Sequence, residues 1–207
     1  FIILSRKVLN VLEFGSGFST AVMASAMAIL DTEFAGWASK NLRVEKPFRV
    51  FAVEEDSRFA EITRKRLKGA LADYAEVSRS SVSMAEHDSR YCTVYDDLPN
   101  ISPDFIYLDG PSQYVTAKSV NGFSLGHMCR MPMAADILKF EFFLEPGTLI
   151  LVDGRTANAR FLQAYLKRSW TYEHDKAGDI HYFELTEEPL GKFNARKMEF
   201  CLGTPKA

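Results

Sequence analysis

Apolar residues fall in short runs separated by polar and glycine-bearing breaks, and the runs change period along the chain. Residues 8–14 (VLNVLEF) place Val8, Leu9, Val11, Leu12 and Phe14 in a nearly continuous block of β-formers, the pattern of a buried strand. Gly15, Ser16 and Gly17 break the block, and the small and apolar residues 21–30 read as a helix. Residues 31–47, with Gly36, Trp37 and mixed charges, read as a loop or short helix. A second strand, 49–53 (RVFAV), runs into Glu54, Glu55 and Asp56. Residues 57–74 carry Phe59, Ile62, Leu67 and Leu71 near one helical face, with Arg64, Lys65, Arg66 and Lys68 among the remainder. Residues 77–85 (VSRSSVSMA) read as a weaker strand that ends at Glu86, His87 and Asp88.

The second half repeats the alternation. Residues 89–103 read as irregular or briefly helical, and a short strand, 105–108, then ends in Asp109-Gly110-Pro111, a sharp turn signal. Residues 115–131 have little pattern and are long for a loop in a compact domain, the kind of segment that serves as a binding loop, a lid or a mobile insertion. Pro132 opens a predicted helix to Leu144, closed by Pro146-Gly147. A buried strand at 148–152 (TLILV) ends in Asp153-Gly154-Arg155, and 157–168 read as a helix with Phe161, Leu162, Tyr165 and Leu166 inward. In the tail, HYFEL (181–185) and KMEFCL (197–202) alternate as antiparallel strands would, with turns at Gly178 and Gly191.

Strands alternating with helices, then hairpin-like strands, predict an α/β fold with a doubly wound, Rossmann-like sheet and a late antiparallel element. One domain spanning 1–207 is the economical reading, since no repeat, linker or low-complexity tract interrupts it. Phe1 is not an initiator methionine and the chain starts almost at its first strand, so a preceding portion is expected.

Composition narrows the partners. The 207 residues carry a net charge of −2, which points away from nucleic acid. No apolar run reaches the length of a membrane span. Three widely separated cysteines, Cys92, Cys129 and Cys201, form neither a disulfide framework nor a metal spacing and suit a reducing, cytoplasmic setting.

The candidate chemistry sits at strand ends. Gly15 and Gly17 let backbone approach a ligand where a Cβ would clash, and the free N–H groups of the following helix face the same place. Glu13 stands beside them. Thr20 holds the position of the third glycine in the dinucleotide fingerprint. Glu54, at the end of the second strand, suits two ribose hydroxyls; the competing reading makes it a helix-starting carboxylate. Glu55 and Asp56 read as solvent-facing. Asp88, Asp109 and Asp153 occupy comparable strand ends, where open α/β sheets bind ligands.

VLEFGSGFST, FAVEED, FIYLDG and LILVDG together resemble the glycine, second-strand, fourth-strand and fifth-strand motifs of class I S-adenosylmethionine-dependent methyltransferases. The resemblance covers roughly residues 8–185. It implies a seven-stranded sheet whose last strand runs antiparallel. It further implies that Glu13, Gly15, Ser16, Gly17 and Ser19 surround the methionine part of the cofactor, that Glu54 holds the ribose and that Asp88 lies near the adenine. Among such enzymes the strand-end aspartates resemble those of small-molecule O-methyltransferases, which hold a divalent metal between the fourth- and fifth-strand motifs. Asp109 and Asp153 match as metal ligands for Mg²⁺, but Gly154 stands where that family has Asn or Asp, with Asn158 a turn further on.

Methyl transfer to a hydroxyl needs alignment and removal of a proton. The expected base or metal-linked activator is Asp109, then Asp153, then His127. Arg155 suits an acidic acceptor or an ion pair. The expected acceptor is a small molecule, a sugar or a glycan intermediate, and homo-oligomerisation stays open. The rival readings are a methyltransferase-like domain that binds cofactor or partner without turnover, and an NAD-dependent oxidoreductase.

Overall fold

The computed structural model describes residues 1–112, 114 and 116–203. Its centre is a seven-stranded sheet. Five strands run parallel in the order β3 (Ala75–Arg79), β2 (Arg49–Glu54), β1 (Asn10–Phe14), β6 (Phe105–Leu108) and β7 (Leu149–Asp153). β9 (Ile180–Leu185) then pairs antiparallel with β7 on one side and with β8 (Trp170–Asp175) on the other. The doubly wound sheet with an antiparallel last strand is the architecture expected from the alternating pattern. Winding starts at β1, moves outward to β3, and resumes on the opposite side at β6. The switch in direction therefore falls between β1 and β6, and the loops that leave these strands diverge to opposite faces and open a crevice.

Alternate residues of the central strands feed two cores. Leu12, Phe14, Ile106, Leu108, Ile150 and Val152 face one side, with Leu162 of α5 (Thr156–Tyr165) and Ile137 of α4 (Asp136–Phe140). Val11, Val50, Phe105, Leu149 and Leu151 face the other, with Met23, Met27 and Leu30 of α2 (Phe18–Asn41) and Phe200 of α6 (Lys192–Leu202). A four-residue helix, α1 (Ile2–Ser5), and α3 (Ser57–Arg66) complete the helical layers.

The differences from the sequence reading have packing causes. The first helix runs well past Leu30 to Asn41 because its second half packs on α6: Trp37 stacks on Phe200 with centroids 4.9 Å apart, and Phe34 meets the same ring edge-on at 5.5 Å. Residues 197–202, expected as a strand, are the end of α6. Their two-residue alternation is too short to exclude a helix, and burial of Asn194 and Cys201 on one face decides it.

Residues 77–85 hold parts of two strands. β3 ends at Arg79, and β4 (Val82–His87) pairs antiparallel with β5 (Arg90–Tyr95) in a separate hairpin. Asp88 and Ser89 both have positive φ, 46° and 59°, the backbone of a tight two-residue hairpin turn. Residues 89–103, expected as irregular, thus contain a strand. The predicted helix at 132–144 shrinks to α4 and one 3-10 turn, Glu141–Phe143, because Ala134 is engaged in a bridge to Thr93 of the hairpin. Within 115–131, Val115 lies outside the described residues; Val120 and Phe123 form a small bridge. Among the described residues no helix is long and apolar enough to cross a membrane.

Candidate functional site

The crevice begins where β1 stops. Gly15 adopts φ 89° and donates its N–H to the Val53 carbonyl at 2.9 Å, which turns the chain at the C-terminal ends of the central strands. The turn lies directly on the loop leaving β6. A Cβ built on Gly110 would fall 2.5 Å from the Gly15 nitrogen and 2.7 Å from the Tyr95 hydroxyl. Gly17 is the reverse case: a Cβ there meets nothing within 4 Å. One glycine pair brings two loops into backbone contact, and another glycine leaves open space at the start of α2.

Two carboxylates flank that space. Glu13 is 1% exposed and accepts hydrogen bonds from the Ser19 hydroxyl and, at 2.6 Å, from the Thr20 hydroxyl. Thr20 also accepts the Gly17 N–H at 3.0 Å. It therefore caps the helix and fixes Glu13 at once, a use for the position that a third glycine could not serve. Burial pushes the Glu13 carboxyl up to about 7, with the two hydroxyls pulling against it.

Glu54 is also buried, and burial raises its pKa. It accepts from the Ser16 N–H at 2.8 Å, the Ser16 hydroxyl at 3.0 Å and the Asp56 N–H at 3.0 Å. A carboxylate offers about four acceptor positions, so three protein donors leave room for one more. The structure thus brings Glu13, Gly15, Ser16, Gly17, Ser19 and Glu54 together around one rim.

A second group stands beside them. Asp109 donates its N–H to the Phe14 carbonyl at 3.0 Å, and its exposed carboxylate lies 3.6 Å from Arg155 Nε. Arg155 spans the loop: its guanidinium donates to the Asp109 carbonyl and, at 2.8 Å, to the Pro111 carbonyl. The Gly110–Pro111 peptide is cis. Asp153 accepts the Tyr107 hydroxyl. Asp109, Asp153, Arg155, Tyr114, Met131 and Asn158 are among the residues lining a cleft of about 470 Å³.

Three expectations need correction. Asp88 is not at the rim. It sits at the hairpin tip, 3.8 Å from Lys167, just beyond the far end of α5, whose ten residues place it about 15 Å from the crevice. Reading 77–85 as one strand, where the chain forms parts of two, caused the error. His127 is exposed on the 116–131 loop, accepts the Cys129 N–H at 3.2 Å and does not line the cleft. Glu55, read as solvent-facing, instead accepts the Tyr95 hydroxyl at 3.0 Å and the Ser112 N–H at 2.6 Å, which ties the β6 loop to the hairpin and the second-strand end. No local pattern signalled this pairing, because it joins residues far apart in the chain.

The residues present do not fit a Mg²⁺ ion between Asp109 and Asp153. A guanidinium already faces Asp109, a phenol occupies Asp153, and Gly154 has no side chain. Asn158 is fully buried with its amide engaged at both ends by the Ala134 backbone, at 2.9 and 3.2 Å. Mg²⁺ prefers oxygen ligands in near-octahedral array, which this arrangement does not offer.

No protein-family model and no curated protein matches the chain. Among solved structures, an O-methyltransferase from Bacillus cereus in complex with SAH is similar at TM-score 0.46 and 17% identity, over 90% of this chain and 77% of that one. A precorrin-6y C5,15-methyltransferase from Geobacter metallireducens is similar at TM-score 0.37 and 16% identity, over 84% of this chain and 77% of that one.

Proposed function

We propose that the protein is an S-adenosylmethionine-dependent methyltransferase acting on a hydroxyl of a small molecule, a sugar or glycan intermediate being the favoured class. The observation that carries this reading is the convergence of Glu13, the Gly15–Gly17 turn, Glu54 and Asp109 at the sheet's switch point. The bound cofactor supplies a methyl group on a sulfonium. Glu54 holds the ribose through its remaining acceptor position. The open backbone at Gly17, with Ser16 and Ser19, receives the methionine portion, and Glu13 supplies negative charge beneath it.

The acceptor enters the cleft lined by Asp109 and Asp153. Asp109, exposed to it, takes the hydroxyl proton, and Arg155 holds the 109–111 loop so that this carboxylate stays in position. Asp153, already accepting from Tyr107, shapes the far wall. The reaction needs no divalent ion at this pair, because a guanidinium supplies the local positive charge. The three free cysteines suit a reducing, cytoplasmic setting.

Calorimetric titration with S-adenosylmethionine, S-adenosylhomocysteine and NAD tests the cofactor: micromolar binding of the first two and none of the third is expected. Tritiated-methyl transfer to pooled phenols, sugars and nucleosides tests turnover. Cofactor binding with no transfer to any pool, unchanged by Asp109→Asn, favours the non-catalytic reading; binding of NAD alone overturns the proposal.

A further inference from the structure

A cluster away from the cleft carpets the turn between β8 and β9. His174 and His181 are cross-strand partners, and Asp179 lies in the turn that joins their strands. Candidate ligand atoms of all three lie within 4.8 Å of one another. His181 is fully buried. Its Nδ1 meets the Tyr172 hydroxyl at 3.0 Å, and its Nε2 meets Thr156 Oγ at 2.9 Å. Thr156 Oγ is also 3.3 Å from an Asp179 carboxylate oxygen. His174 Nε2 points into the same space. It is shielded from solvent, has no hydrogen-bond partner among the described residues, and lies 3.9 Å from Asp179.

A buried ring nitrogen without a partner is costly, and here it faces a carboxylate and a second imidazole. We propose that His174, Asp179 and His181 form a transition-metal site for Zn²⁺ or a similar borderline divalent ion. Two imidazole nitrogens and one carboxylate oxygen are a common zinc donor set, with water or Thr156 Oγ completing the shell. The Tyr172 hydroxyl at Nδ1 of His181 then orients that ring, as outer partners of metal-bound histidines do. The two rings stack with centroids 3.9 Å apart and 18° between planes, so the ion turns the His174 ring, the more exposed of the two.

The site would also brace the cleft. Asp179 accepts the Gly154 N–H through its backbone carbonyl at 2.9 Å, and Thr156 opens α5 directly after Asp153 and Arg155. An ion held here would clasp the hairpin to the loop that carries both cleft residues. This proposal does not depend on the methyltransferase reading.

The test uses tag-free protein dialysed against EDTA and titrated with Zn²⁺ against a chromogenic chelator, with Co²⁺ as a spectroscopic probe. One equivalent of Zn²⁺ is expected to bind with Kd of about 1 μM or tighter, and Co²⁺ to give visible d–d absorption. His174→Gln and Asp179→Asn should each weaken binding at least about tenfold and abolish the metal-induced rise in Tm. Asp179 is exposed and His174 only partly so, and far-UV circular dichroism checks that the variants fold. Asp153→Asn should bind as the unmodified chain does. Absence of binding tighter than about 100 μM overturns the proposal, as does binding that survives both hairpin substitutions or is lost only with Asp153→Asn.

Discussion

Gly15 and Gly110 touch through their backbones: the space a Cβ would need on Gly110 is filled by the Gly15 nitrogen at 2.5 Å and its Cα at 2.8 Å. This contact closes the switch point between β1 and β6 and sets how far the glycine turn stands from Asp109. Gly110→Ala is therefore expected to destabilise the fold by about 1–3 kcal/mol, an overpacking cost, and to weaken cofactor binding. Gly17→Ala should change stability by less than about 0.5 kcal/mol, since nothing lies within 4 Å, yet weaken the cofactor at least tenfold by filling its space. Urea denaturation paired with calorimetry separates the two; equal effects on both quantities would contradict the assignment of open and closed glycines.

Glu13 predicts a pH dependence with a definite sign. Its pKa is raised from 4.5 to about 7 by burial, so the folded state holds a proton that the unfolded chain releases first. The contribution to stability is full below about 4.5 and is lost as pH rises to about 7. The shift corresponds to roughly 3 kcal/mol. Asp136, also raised to about 7, acts with the same sign, so the informative quantity is the difference from Glu13→Gln. Stability of the unmodified chain should fall relative to Glu13→Gln across that interval in denaturation curves. Cofactor affinity should move the other way and weaken below about pH 7, because a cationic ligand requires the ionised carboxylate.

Arg155 predicts metal independence at the cleft. Methyl transfer should change less than twofold between added Mg²⁺ and Mg²⁺-free buffer. Arg155→Ala strands the Asp109 and Pro111 carbonyls and should cost about 1–3 kcal/mol of stability, with transfer falling more than tenfold and S-adenosylmethionine affinity less than threefold. Arg155→Lys keeps the charge but cannot span both carbonyls and should restore little. Strong stimulation by Mg²⁺ would refute this account.

Tyr95 and Glu55 form the third strut of the β6 loop. Tyr95→Phe removes the hydroxyl that Glu55 accepts at 3.0 Å while Ser112 keeps its own bond to the same carboxylate. A double-mutant cycle with Glu55→Gln should give a coupling of about 0.5–3 kcal/mol in denaturation. A coupling near zero would mean that the contact does not hold the loop.

Most of the sheet and the near half of the site could be read from local pattern. The block 8–14 followed by Gly15, and the strands ending at Glu54, Asp109 and Asp153, are short-range signals: a buried parallel strand needs a continuous apolar run, and the chain must leave it at the rim where ligands bind. The sequence by itself therefore determined the doubly wound class and the rim membership of Glu13, Gly15, Gly17 and Glu54, and the motif resemblance added Ser16 and Ser19. Tertiary structure decided the rest, because the deciding contacts join residues far apart in the chain. Packing of Trp37 on Phe200 lengthened one helix and made a helix of a segment that alternates like a strand. The pairing of Val82 with Tyr95 drew Asp88 away from the rim and brought Tyr95 to Glu55. The reach of Arg155 to Asp109 and Pro111, across a loop whose own residues do not announce it, put a cation where a metal was expected. Local propensity is written along the chain, whereas which charge meets which depends on strand order, and strand order is settled only when the two cores close.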